Sequence, residues 1–70
     1  MELEFTTFAR AQMGFESVSR LEVEAVFASP DAVEAGEIYM RYMGTVGGRR
    51  LILFVLVDSD PPKVGLLEVE

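Results

Sequence analysis

Two adjacent glycines, Gly47 and Gly48, separate two long strand-like segments, and this arrangement constrains the fold more than any other feature of the chain. Residues 37–46 are rich in Tyr, Met and Ile, and residues 49–58 contain an unbroken apolar run at 51–57. A Gly-Gly pair between two such segments is typical of a two-residue hairpin turn, because these turns need positive φ angles. We therefore predict an antiparallel hairpin over residues 37–58, with its apolar second strand central in the sheet and covered on both faces.

A two-residue turn also determines which side chains share a face of the hairpin. It pairs Val46 with Arg49, and alternate residues along each strand then point the same way. One face is apolar and is expected to contact the helices; it consists of Ile38, Met40, Tyr42, Leu51, Leu53, Val55 and Val57. The other face consists of Tyr39, Arg41, Met43, Thr45, Arg50, Ile52, Phe54 and Leu56. A bulge at the glycines would exchange the two faces.

A first helix is predicted close to the N-terminus. Apolar residues between Phe5 and Met13 are spaced i, i+3, i+4, i+8, which indicates a helix over about residues 6–13. One of the two threonines at its start is expected to cap it, and Gly14 is expected to stop it.

A second helix has a clearer start signal. Ser19 and Glu22 match the capping-box pattern, which predicts a helix from Arg20 to about Ala28. Pro30 ends this helix, because a residue that precedes proline is disfavoured in the helical region.

Two further strands complete the predicted architecture. They are residues 32–35, closed by Gly36, and residues 63–69, which follow the Asp- and Pro-rich turn at 58–62. Short connections favour an antiparallel meander. We predict one α+β domain over residues 1–70, with two N-terminal helices packed on a three- to four-stranded antiparallel meander sheet. The aromatic and Met side chains are assigned to its core by default, namely Phe5, Phe8, Met13, Phe15, Phe27, Met40, Met43 and Phe54.

The composition excludes several classes of function. The chain has no histidine and no cysteine, so we expect no zinc site, no thiol nucleophile, no metal and no cofactor. Its formal charge of -6 repels nucleic acids and anionic membranes. The run at 51–57 is too short to cross a bilayer and the N-terminus lacks a signal-peptide pattern, which predicts a cytoplasmic protein. The absence of asparagine and cysteine is typical of thermophilic proteins.

The mixed face of the hairpin is the candidate functional surface. Arg41 and Arg50 lie on it with Tyr39, and two guanidinium groups there can bind an anion. The alternative is that both arginines pair with nearby acids such as Glu34 or Glu37.

The same face also offers a candidate protein interface. A domain of 70 residues has a small core, so some of its apolar side chains are expected to remain outside it. Tyr39, Met43 and Phe54 would then form an exposed apolar patch, which normally marks contact with another protein.

The order of these signals resembles the DUF4258 group of small bacterial proteins, which look like relatives of RelE-type and BrnT-type toxins. The segments that carry the resemblance are Phe8-Ala9-Arg10-Ala11-Gln12-Met13, Val18-Ser19-Arg20-Leu21-Glu22-Val23-Glu24-Ala25-Val26, Ser29-Pro30, Gly44 and Gly48-Arg49-Arg50-Leu51. Phe8 stands where that family has its opening histidine. The resemblance implies that Arg10, Arg41 and Arg50 contact phosphate groups of RNA.

The sequence therefore leaves two alternative hypotheses for the function. The first is a non-catalytic protein-interaction module, either a homodimer or one component of a toxin-antitoxin-like pair. The missing histidine and cysteine, the net acidity and the small core favour it. The alternative is a RelE- or BrnT-like toxin ribonuclease, in which Arg10, Arg41, Arg50 and Tyr39 bind RNA.

Overall fold

The computed structural model describes residues 2–70, and this part of the chain forms two helices and five strands. They are β1 (Glu4–Phe5), α1 (Thr7–Glu16), α2 (Arg20–Ala28), β2 (Ala32–Glu34), β3 (Tyr39–Val46), β4 (Arg49–Leu56) and β5 (Lys63–Val69). The strands form one sheet in the order β1-β5-β4-β3-β2. Strands β2 to β5 are an antiparallel meander, and β1 pairs in parallel with β5. The α+β class is confirmed, whereas the prediction of three or four antiparallel strands is wrong in the strand number and in the direction of one pair.

Strand β1 is too short to show a periodicity in the sequence, which is why the prediction misses it. Its position depends on β5, far away in the chain. The backbone N–H of Glu4 donates to the carbonyl of Pro62 over 2.8 Å, and that of Thr6 donates to the carbonyl of Val64 over 3.0 Å. Only the folded chain brings these groups together.

Both helices begin at the predicted caps. The hydroxyl of Thr6 accepts a hydrogen bond from the N–H of Ala9. Ser19 and Glu22 form the reciprocal capping box of α2, which has the predicted bounds. Local side-chain chemistry therefore specifies where each helix starts.

The predicted end of α1 at Gly14 is wrong, because the helix continues to Glu16. A glycine inside a helix is only about 1 kcal/mol less favourable than alanine, so it does not have to stop the helix. The helix ends at Ser17, which adopts a left-handed φ of 56°. The next residue, Val18, then donates its N–H to the carbonyl of Met13 over 2.8 Å.

The register of the β3–β4 hairpin is confirmed. Gly47 and Gly48 have φ angles of 58° and 77°, and Val46 pairs with Arg49. The strand candidate at 32–35 is real but one residue shorter, and it pairs with β3 as the edge strand β2. Strand β4 is the middle strand, as predicted.

The core lies between the helices and one face of this sheet. Leu51, Leu53 and Val55 of β4 are at most 4% exposed. They are covered by side chains of the N-terminal segment, the two helices and the loop between the helices, namely Leu3, Phe5, Ala9, Val18, Val23 and Val26. Gly44 lets α2 approach closely, since a Cβ atom there would lie 3.2 Å from Cγ1 of Val26.

Three apolar side chains predicted to be buried are exposed instead: Ile38 by 65%, Phe8 by 61% and Phe15 by 88%. Ile38 precedes β3, so the alternation of the strand does not apply to it. Helix α1 packs on the β5 side of the sheet and buries only Ala9 fully, which leaves both phenylalanines on its outer side. The expected cover on both faces of β4 is also wrong, because Phe54 and its neighbours on that face stay partly exposed.

Candidate functional site

One face of the sheet points away from both helices, and we call it the open face. It carries the side chains that alternate with the buried ones, namely Tyr39, Arg41, Met43, Thr45, Arg50, Ile52, Phe54, Leu56, Leu66, Glu68 and Glu70. Within residues 2–70 both helices pack on the opposite face, so no helix covers this one. The open face is therefore a sheet surface without a second layer within residues 2–70.

The centre of the open face is apolar and only partly exposed. Tyr39, Met43 and Phe54 lie there, as the hairpin register predicts, beside Ile52 and Leu66. The ring of Tyr39 meets that of Phe54 edge-on, with 5.9 Å between the ring centroids. This arrangement brings all three predicted interface residues onto one surface.

Tyr39 also lies over the neighbouring strand β5. A Cβ atom on Gly65 would be 2.8 Å from Cε1 of Tyr39, so only glycine leaves room for the ring in this position. The aromatic ring of Tyr39 therefore lies directly over Gly65 of β5, on the open face.

A shallow groove of about 300 Å³ lies at the corner of the open face next to the β2–β3 loop. Apolar side chains form most of its wall, and one arginine and one glutamate border it. The lining residues are Ala35, Gly36, Glu37, Ile38, Tyr39, Arg41 and Phe54. Its size and lining suit a single apolar side chain that comes from another molecule.

The two arginines of the open face are engaged with acids. Arg41 donates to the carboxylate of Glu34 on the adjacent strand β2, which confirms the pairing alternative for this residue. Arg50 lies 3.1 Å from a carboxylate oxygen of Glu70 and 3.8 Å from one of Asp31. These exposed pairs contribute little to stability, but they neutralise both guanidinium groups.

The four predicted RNA-binding residues do not converge on one point. Arg50 is opposite Thr45, four residues along β3 from Arg41, which corresponds to about 13 Å. Tyr39 is two residues beyond Arg41 on the same face. Arg10 lies on α1, on the other side of the sheet.

The sequence prediction misses the contribution of β5 to the open face. A register shift next to Phe54 places Leu66 opposite Phe54 and Glu68 opposite Ile52. The last residue, Glu70, then reaches Arg50. The sequence predicts a strand over residues 63–69, but it does not predict the register in which this strand pairs with β4.

A separate polar cluster joins the helices to the hairpin, away from the open face. Arg49 donates to the carbonyls of Glu16 and Ser17 over 2.7 and 2.9 Å and to the carboxylate of Glu22. The backbone N–H of Ser19 and the guanidinium of Arg49 lower the pKa of Glu22, the backbone bond having the larger effect. This cluster satisfies the last carbonyls of α1, so its role is structural.

The side-chain amide of Gln12 closes the outer edge of β5. Its nitrogen donates to the carbonyl of Leu67 over 2.8 Å, and its oxygen accepts from the N–H of the same residue over 2.9 Å. In this way one side chain replaces the hydrogen bonds of a missing strand.

Phe8 and Phe15 are exposed on the same helix.

Comparisons with known proteins do not assign this chain to a family. Searches against protein-family models, curated proteins and solved structures found no match. Within residues 2–70 no helix combines the length and the apolar character that a membrane crossing needs. In the same residues, no three carboxylates lie close enough together to hold a metal ion.

Proposed function

We propose that the protein is a non-catalytic protein-interaction module that binds another protein on the open face of its sheet. The observation that carries this proposal is that, within residues 2–70, no second layer covers the apolar centre formed by Tyr39, Met43 and Phe54. In most domains such a sheet face is covered, because apolar side chains are stabilised by removal from water. A partner protein would supply the missing layer at the usual sheet spacing of about 10 Å.

The size of the open face fits a specific protein interface. The three strands that form it, β3, β4 and β5, are spaced by about 4.8 Å, and a length of eight residues of about 3.3 Å each gives a projected area of roughly 380 Å². The accessible area of such a corrugated surface is larger than its projection. The projection alone is about half of the roughly 800 Å² per partner of a standard interface, so a partner that also contacts the margins of the face can reach that size. The apolar centre and charged margin also match the usual anatomy of such interfaces.

The alternative function, a toxin-like ribonuclease, would use the same face to bind RNA. The separation of Arg10 from Arg41 and Arg50 weighs against it, because three dispersed cations cannot stabilise one reacting phosphate. The pairing of Arg41 and Arg50 with acids and the formal charge of -6 weigh against it as well. The similarity to the DUF4258 group and to RelE- and BrnT-type toxins stays a proposal.

Site-specific photo-crosslinking in the cells that make the protein tests this proposal. Benzoylphenylalanine replaces Phe54 on the open face or, as a matched control, the exposed Phe15 on α1. We expect one discrete adduct from position 54 and none of comparable yield from position 15. Circular dichroism confirms that both variants fold.

The chemical nature of the adduct separates the outcomes. A protein adduct at position 54, either a second copy or another chain, supports the interaction module. An adduct that ribonuclease removes supports the RNA-binding alternative. Equal yields at both positions would contradict the assignment of the open face as the docking surface.

A further inference from the structure

We infer that the open face selects a basic protein partner and disfavours a second copy of this chain. This inference rests on the docking function proposed above and specifies the chemistry of the partner. It follows from the distribution of charge around the apolar centre.

Most positive charge in the molecule is already engaged. Five of the six basic side chains form ion pairs within the chain, namely Arg20 with Glu24, Arg41 with Glu34, Arg49 with Glu22, Arg50 with Asp31 and Glu70, and Lys63 with Glu4. The other acids have no basic side chain within salt-bridge distance in residues 2–70: Glu2, Glu16, Glu37, Asp58, Asp60 and Glu68. The excess negative charge is thus available to an outside cation.

Two of these available acids flank the apolar centre of the open face. Glu68 is opposite Ile52 on the central strand, and Glu37 borders the groove that contains Phe54. The other charged side chains of this face, Arg41, Arg50 and Glu70, are already in ion pairs: Arg41 with Glu34, and Arg50 with Glu70. A partner that contacts Phe54 and the adjacent groove therefore comes close to two carboxylates, Glu37 and Glu68, that have no basic side chain within salt-bridge distance in residues 2–70.

This arrangement is unfavourable for contact between two copies. An isologous interface would bring the acidic margins of two open faces together, and like charges across an interface oppose association. A partner with an apolar side chain for the groove and lysine or arginine beside it would instead pair with Glu37 and Glu68. Attraction to a basic partner and repulsion between two copies of the chain then both favour the basic partner, which makes the open face specific for it.

Two measurements on the intact protein test this inference. Sedimentation equilibrium at low salt gives the oligomeric state, for which we expect a monomer. NMR titration of the ¹⁵N-labelled protein then compares two nine-residue probe peptides of alternating residues, one with valine and lysine and one with valine and glutamate. We expect shifts at Tyr39, Ile52, Phe54 and Leu66 with the lysine peptide only, and weaker binding as salt increases.

Paired variants separate the local charges from the net charge. The double variant Glu37→Gln/Glu68→Gln is expected to weaken binding of the lysine peptide by about threefold to tenfold, because two exposed charge pairs are lost. The control Glu2→Gln/Glu16→Gln removes the same net charge away from the open face and is expected to weaken it less than twofold. Equal loss in both variants would overturn the selective role of the two acids.

The outcomes also distinguish this inference from the function on which it depends. A dimer that Phe54→Glu dissociates would overturn the basic-partner inference and support the docking role of the open face. A monomer whose open face shows no shift with either peptide, together with no adduct from position 54, would overturn both.

Discussion

Replacement of Gln12 by methionine is expected to destabilise the fold through the loss of one side-chain amide. Methionine keeps the length and the helix propensity of glutamine but cannot hydrogen-bond to the backbone of Leu67. The N–H and the carbonyl of Leu67 then lose their partners at 2.9 and 2.8 Å. Both groups lie on the outer edge of β5, which Gln12 covers in the native fold and which would become free to pair with another chain.

The expected magnitude follows from these two hydrogen bonds. Each contributes about 0.5–1.5 kcal/mol net, so the variant should lose about 1–3 kcal/mol of unfolding free energy. A domain of this length has a total of roughly 4–10 kcal/mol, which makes the loss a large fraction of it. The midpoint of thermal unfolding should fall by roughly 5–20 °C. Urea unfolding followed by circular dichroism measures the change, with Arg10→Met on the same helix as the control.

A second substitution at this position tests the geometry independently. In Gln12→Glu an ionised carboxylate would set a negative oxygen against the carbonyl oxygen of Leu67, whereas the protonated carboxyl can donate to that carbonyl and still accept from the N–H. This difference favours the protonated form, so we expect a raised pKa for the new side chain in the folded state. When the pKa of a side chain is higher in the folded state than in the unfolded state, its contribution to stability is complete below the unfolded pKa. That contribution is lost as pH rises through the folded pKa. The deficit of this variant relative to wild type should therefore be smaller at low pH. A methionine variant within 0.5 kcal/mol of wild type, or a glutamate variant with a constant deficit, would refute the role of Gln12.

Other perturbations probe the core and the polar cluster. Leu53→Ala removes a side chain that is 0% exposed at the centre of the sheet, and it should lower the free energy of unfolding by about 2–5 kcal/mol. Phe8→Ala, on the exposed side of α1, should lower it far less. Chemical unfolding of the two variants measures both changes. The pKa of Glu22 is lowered from 4.5 in the folded state, so its contribution to stability is complete above that pH and is lost as pH falls through the lower folded pKa. The deficit of Glu22→Gln in urea unfolding should accordingly be constant above about pH 5.5 and shrink below 4.5, and a deficit that grows with acidity would contradict this sign.

The hairpin and the second helix show how much of the fold the sequence predicts. Positive φ angles at Gly47 and Gly48, and the capping box of Ser19 and Glu22, involve residues that are close in the chain. Their chemistry is therefore independent of the rest of the molecule. Once the turn is known, alternation assigns Phe54 and its neighbours to one surface, so most of the candidate interface follows from the sequence.

The remaining features depend on contacts between residues that are distant in the chain. Strand β1 exists because β5 pairs with it, and Glu68 joins the open face because of a register shift in the β4–β5 pair. The burial of α1 could not be predicted from its composition, since its position over β5 determines which side of the helix meets the core. Phe15 illustrates this point, because its apolar character predicts burial but its position on the outer side leaves it in water.

Local chemistry by itself determined the starts of both helices, the tight turn and the two faces of the central hairpin, because each depends on neighbouring residues. The tertiary structure alone decided, within residues 2–70, that the open face stays without a cover and which acids have no basic side chain within salt-bridge distance. Burial and ion pairing depend on where the whole chain places a side chain. The open face combines both kinds of information: its residues follow from the alternation of two strands, and its exposure follows from the packing of both helices on the other side.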